Sequence, residues 1–90
     1  MERSFAEVVR DCRLHLDLTQ EELARRIRTS TPYVALLEAG KRHPSDKIIT
    51  RLAEVLGLYR RELFFLAYPR AQALPELDAK SAWEDFRRRS

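Results

Sequence analysis

The segment Leu18–Pro44, LTQEELARRIRTSTPYVALLEAGKRHP, carries the start and stop signals of two short helices in immediate succession. Thr19 and Glu22 form a T-x-x-E capping box, in which each side chain satisfies a backbone N–H of the other residue. Leu18 and Leu23 flank this box at hydrophobic-staple spacing. A second helix is expected to start near Ser30. It tolerates Pro32, because N–H groups in a first helical turn have no intrahelical partner. Gly40 then offers the left-handed residue that ends a helix. A segment punctuated in this way cannot run as one long helix or extend into a sheet. It is expected to fold as two helices, about residues 19–27 and 30–39, around a tight turn.

The same punctuation recurs on either side. Ser4 and Glu7 make another capping box, followed by Phe5, Val8, Val9, Cys12 and Leu16 at the spacing of one buried helical stripe. Pro44 and Ser45 announce a fourth helix through Ile48, Ile49, Leu52, Ala53 and Leu56, stopped by Gly57. A fifth carries Leu63, Phe64 and Ala67 on one side, leaving Phe65 and Tyr68 over. No β-branched alternating run appears, and 44% hydrophobic residues suffice for a small helical core. The expectation is an all-α domain of five helices over residues 1–68, followed by a C-terminal extension over 69–90. Within that extension Ala79, Ala82, Trp83 and Phe86 share a helical face too short to be stable alone.

Gln20, Glu22, Leu23, Ala24, Ser30, Val34, Glu38, Gly40, Lys41, Arg42 and Pro44 together have a recognisable register. With LAEVLGL (Leu52–Leu58) and ELFFL (Glu62–Leu66), the chain from about Phe5 to Leu66 resembles the Cro and phage-repressor type of helix-turn-helix. That is the xenobiotic-response-element (XRE) family of bacterial regulators. The resemblance implies a five-helix lambda-repressor-like fold, duplex DNA as the partner and an operator-binding dimer. It departs from the family at Arg28, where relatives have a turn glycine, and at Tyr59, where they have Ser or Asp as a cap.

Charge distribution agrees with that implication. The formal net charge is +3. Between Leu18 and Leu52, seven basic residues (Arg25, Arg26, Arg28, Lys41, Arg42, Lys47, Arg51) stand against four acidic ones (Glu21, Glu22, Glu38, Asp46), so this half holds the whole excess. Basic charge localised on such a motif favours phosphate.

By register with the family, Gln20 is expected on a phosphate through its side-chain amide and the helix N-terminal N–H groups. Lys41, Arg42 and His43 are expected to form a second phosphate clamp, with Arg28 adding charge on the DNA side. Lys47 and Arg51 read as ordinary solvated charges. Base reading falls to Thr31, Pro32, Ala35 and Leu36, with Tyr33 beside them. These are poor readers: beyond the Thr31 hydroxyl they offer only apolar contact to a thymine methyl. Each missing bidentate contact forgoes about 1–3 kcal/mol of discrimination. Arg13 and Glu38 match a pair that links the first and third helices in relatives.

The apolar surplus of Tyr59, Phe65, Tyr68, Trp83 and Phe86 is expected to form a dimer or partner surface. Cys12 is the only cysteine, which excludes an intrachain disulfide and fits a reducing compartment. Cys12, His15 and Asp11 lack a further ligand at suitable spacing, so a core thiol and a surface histidine are expected rather than a metal site. No nucleophile–base arrangement or Gly-rich phosphate loop appears, so neither an enzyme nor a cofactor is expected. No apolar run is long enough to cross a bilayer, and a cytoplasmic, nucleoid-associated protein is expected. Beside the DNA-binding regulator stand two alternatives: an antitoxin-type autoregulator holding a toxin through its tail, and a protein-interaction module with weakened DNA reading.

Overall fold

Four of the five helices among the described residues start on a hydroxyl side chain that accepts the N–H three residues on. These N-caps are Ser4, Thr19, Ser30 and Ser45. The computed structural model describes residues 3–69. Their helices are α1 (Phe5–His15), α2 (Gln20–Arg26), α3 (Thr31–Glu38), α4 (Asp46–Leu56) and α5 (Arg60–Ala67). Both expected capping boxes close: Glu7 reaches back to the Ser4 N–H and Glu22 to the Thr19 N–H. The Thr19 backbone and hydroxyl bonds hold the Glu22 carboxyl below its ordinary pKa. Pro32 sits in the first turn of α3, and Gly40 and Gly57 have φ of +71° and +70° beyond α3 and α4. α5 is different. Its N-cap is Tyr59, which supplies no side-chain bond, as the missing Ser or Asp implied.

α2 packs on α3 as the two-helix unit, α1 braces α3, α4 and α5, and α4 packs on α5. Val9, Leu23, Ile27, Val34, Leu37, Ile49 and Leu52 have no exposed surface, and Leu63 and Ala67 close the α5 side. α4 contributes the widest apolar stripe, Ile48, Ile49, Leu52, Ala53 and Leu56, all buried. Truncating Ile49 or Leu52 to alanine would cost about 2–5 kcal/mol. Since Leu23, Ile27, Val34 and Leu37 share this core, the angle between α2 and α3 is fixed by packing.

Three expectations need correction. Leu16 is not part of the α1 stripe but 45% exposed. α1 ends at His15, Asp17 turns the chain with φ +57°, and Leu18 takes the buried place instead. Phe65 and Tyr68 are not left exposed on α5; both are half-buried. Phe65 lies edge-on to Phe64 with the Arg61 guanidinium over its ring, and Tyr68 packs on Phe64 and His43. Arg51 is not a free solvated charge, because its Nη1 donates to the Ile27 carbonyl at 3.2 Å. Trp83, Phe86 and the extension over 69–90 lie, from residue 70, outside the described residues. Among the described residues no helix is long and apolar enough to cross a membrane.

Candidate nucleic-acid interface

α3 turns one face inward through Val34 and Leu37, so its other positions are left to the outside by the helical period. Pro32 and Leu36 are exposed, and Thr31, Tyr33 and Ala35 are half-exposed. The expected readers thus share one accessible strip along the helix. Leu36, at 38%, is one of four large apolar side chains with substantial exposure among the described residues. The side chains of the strip carry the hydroxyls of Thr31 and Tyr33 and otherwise apolar atoms, a surface suited to thymine methyls and not to bidentate base contacts.

The orientation of α3 is set by a buried polar knot at its last turn. Arg13 donates from Nε to Glu38 Oε2 at 2.6 Å and from Nη2 to Glu38 Oε1 at 3.0 Å. Its Nη1 donates to the Leu18 carbonyl at 2.8 Å, so one guanidinium ties α1 to α3 and to the residue preceding the α2 cap. Both side chains are nearly shielded from solvent, at 9% and 4%. The bond to Glu38 pushes the Arg13 pKa further above its ordinary value, against the opposing effect of burial. Gln20 joins the knot by donating from Nε2 to Glu38 Oε1 at 3.1 Å. A carboxamide has two N–H donors, so this bond leaves one N–H available while restricting where the amide points.

The loop after α3 exposes Lys41, Arg42 and His43. Two aromatic contacts shape it. The Arg42 guanidinium lies 5.7 Å from the Tyr33 ring centre, and the His43 ring stacks on Tyr68 at 5.9 Å. The Tyr68 hydroxyl donates to the Pro44 carbonyl, so the end of α5 latches the loop. Burial, then the electrostatic influence of Tyr33 and Asp46, raises the Tyr68 pKa above its ordinary value. Sequence reasoning missed this latch and the Arg13 bond to Leu18; neither has a local signal. Arg28 adopts φ +59°, the left-handed backbone that the family's glycine would take without strain. Tyr59, at the start of α5, is 78% exposed.

The comparisons with known proteins agree with this geometry. A family model described as helix-turn-helix matches residues 9–63. An uncharacterized HTH-type transcriptional regulator from Archaeoglobus fulgidus is 32% identical over 56 residues, covering 62% of this chain and 79% of the relative. Another from Methanothermobacter thermautotrophicus is 37% identical over 59 residues, covering 66% of this chain and 86% of the relative. The crystal structure of the clp gene regulator ClgR from Corynebacterium glutamicum superposes with a TM-score of 0.62. It is 24% identical and covers 93% of this chain and 83% of that one, which shows the shared five-helix, lambda-repressor-like fold. With the family match spanning more than half of its length, the chain belongs to the helix-turn-helix family of DNA-binding transcription regulators, in its xenobiotic-response-element form.

Proposed function

We propose that this regulator binds operator DNA as a homodimer, with α3 in the major groove of each half-site. The observation that carries the reading is the accessible strip of α3, flanked along the chain by Gln20 and by the exposed residues Lys41, Arg42 and His43. Gln20 stands at the N-terminus of α2, and Lys41, Arg42 and His43 stand in the loop beyond α3. Thr31, Pro32, Ala35 and Leu36 meet base edges, mainly thymine methyls, with Tyr33 packed beside Arg42. The Arg13–Glu38 pair fixes the helix that presents them.

Backbone contacts supply most of the affinity, and base contacts a modest selectivity. Two copies on half-sites one helical turn apart, roughly 34 Å, compensate by presenting the same groups twice. The α5 end, with Tyr59 and the Phe65 edge, is the surface for self-association. Footprinting on the DNA upstream of the protein's own gene tests the proposal. A protected pair of half-sites is expected; uniform weak protection of all sequences would refute operator selectivity.

A further inference from the structure

Beside the recognition helix, the α2–α3 turn and α4 enclose an open cleft whose lining includes Arg26, Arg28, Lys47 and Arg51 together with Asp46 and Glu54. Asp46 is already paired with Arg60, which leaves Glu54 as the one acidic lining residue without an ion pair among the described residues. Arg26, Arg28 and Lys47 make no ion pair with any described residue. Four cations converge where two balancing carboxylates stand, and one of those is spoken for. Arg28 takes part at the expense of a left-handed backbone. Strained residues persist where the surroundings over-determine them, and such sites are enriched in function.

We propose that this cleft receives backbone phosphates of the same duplex that α3 reads, making Arg26, Lys47 and Arg51 phosphate-binding residues alongside Arg28. The inference rests on the reading that α3 enters the major groove. Arg28 stands three residues before Thr31, so its Cα lies within roughly 11 Å of the start of α3 at full extension. The major groove is about 12 Å wide, so a side chain this close to the start of a helix lying in it can reach the bordering strand. Lys47 follows Pro44 by three residues and is the second residue of α4. The cleft therefore borders both the turn that enters α3 and the start of α4, the helix that follows the Lys41–Arg42–His43 loop. It supplies sequence-independent affinity to a helix whose own side chains read bases poorly. Arg51 holds the site in shape, since its Nη1 donates to the Ile27 carbonyl while its other N–H groups remain donors.

The test is the salt dependence of binding to a random-sequence duplex by the full chain carrying Arg26→Ala with Lys47→Ala. This variant leaves α3, residues 41–43 and the Arg51–Ile27 bond intact. With two fewer phosphates neutralised, log K against log salt is expected to flatten by about 1.8. Arg28→Gly provides an independent readout, because it is expected to raise the thermal midpoint and still flatten the slope by about 0.9. The proposal is overturned if both variants keep the native slope while Lys41→Ala with Arg42→Ala loses it. It is also overturned if the Arg26/Lys47 variant binds DNA normally but loses a labelled polyglutamate peptide that the native chain holds; that would assign the cleft to an acidic protein. Unchanged slopes in all three variants would defeat the DNA reading itself, and the cleft proposal with it.

Discussion

Arg13 on α1 and Glu38 at the end of α3 meet as a two-pronged pair, with N···O distances of 2.6 and 3.0 Å, in a place almost closed to water. The position is informative because Glu38 also accepts from Gln20, the residue expected on a phosphate. One carboxylate therefore ties α3 to α1 and to Gln20 at the start of α2, the proposed reading helix to a proposed phosphate contact. Removing Glu38 would leave the Arg13 charge buried with only the Leu18 carbonyl as partner. Glu38→Ala is expected to cost about 3–5 kcal/mol of unfolding free energy in urea titrations. Arg13→Lys is expected to restore little, since an ammonium cannot span both oxygens. Full stability in Glu38→Ala would show that the pair orients nothing.

Arg28 gives a prediction of opposite sign. At φ +59° an L side chain is disfavoured by about 1–2 kcal/mol, and glycine is not. Glycine loses about 0.5–1 kcal/mol through greater freedom in the unfolded chain. The net expectation for Arg28→Gly is a gain of a few tenths to about 1 kcal/mol, read as a higher thermal midpoint. A lower midpoint would mean that the Arg28 side chain holds the turn together.

How far the sequence discloses this molecule depends on the range of the interaction. Ser4, Thr19, Ser30 and Ser45 are readable as caps because each acts within three residues, and Gly40 and Gly57 because a single residue suffices for the stop. The strip of α3 is readable from helical period once Val34 and Leu37 are assigned to the core. The burial of Tyr68 is not, because its partners Pro44 and His43 lie about 24 residues away and nothing in ELFFLAY points to them. Leu16 is misplaced by a stripe continued past the helix end. Asp17 is the signal against it, since aspartate is one of the few residues that tolerate the left-handed turn it adopts. The cleft at Arg26 and Lys47 is invisible for the same reason as the Tyr68 latch: α2 and α4 are distant in sequence.

The clamp loop should dominate affinity without choosing sequence. Lys41→Ala with Arg42→Ala is expected to weaken binding to every duplex and to flatten the salt slope by about 0.9 for each phosphate no longer neutralised. Fluorescence anisotropy across a salt series measures both. An unchanged slope would place the clamp elsewhere.

Leu36 offers the means to alter selectivity. It is exposed on the reading strip, so Leu36→Gln is expected to leave the thermal midpoint nearly unchanged. A glutamine there can pair with adenine in the major groove, worth about 1–3 kcal/mol of discrimination. The preferred half-site should shift in a selection from randomised duplexes. A variant that unfolds, or that selects the same half-site, would remove Leu36 from the base-reading set.

Self-association is expected at α5. Tyr59 is 78% exposed, and the half-buried ring of Phe65 has the long, rotatable Arg61 side chain over it, with the guanidinium 5.8 Å from its centre. Tyr68, by contrast, is engaged within its own domain and has no part in the seam. A two-fold interface repeats the same patch on both partners, so one substitution acts twice. Phe65→Glu would set two carboxylates against each other across such a seam and should dissociate the dimer in sedimentation equilibrium at micromolar concentration. Tyr59→Ser makes a useful partner experiment. It supplies the cap that α5 lacks, worth about 1 kcal/mol to the monomer, while removing an exposed ring from the interface. A chain that gains thermal stability yet dimerises less would place Tyr59 in the seam. A native chain that is monomeric at these concentrations, and indifferent to both substitutions, would refute the dimer.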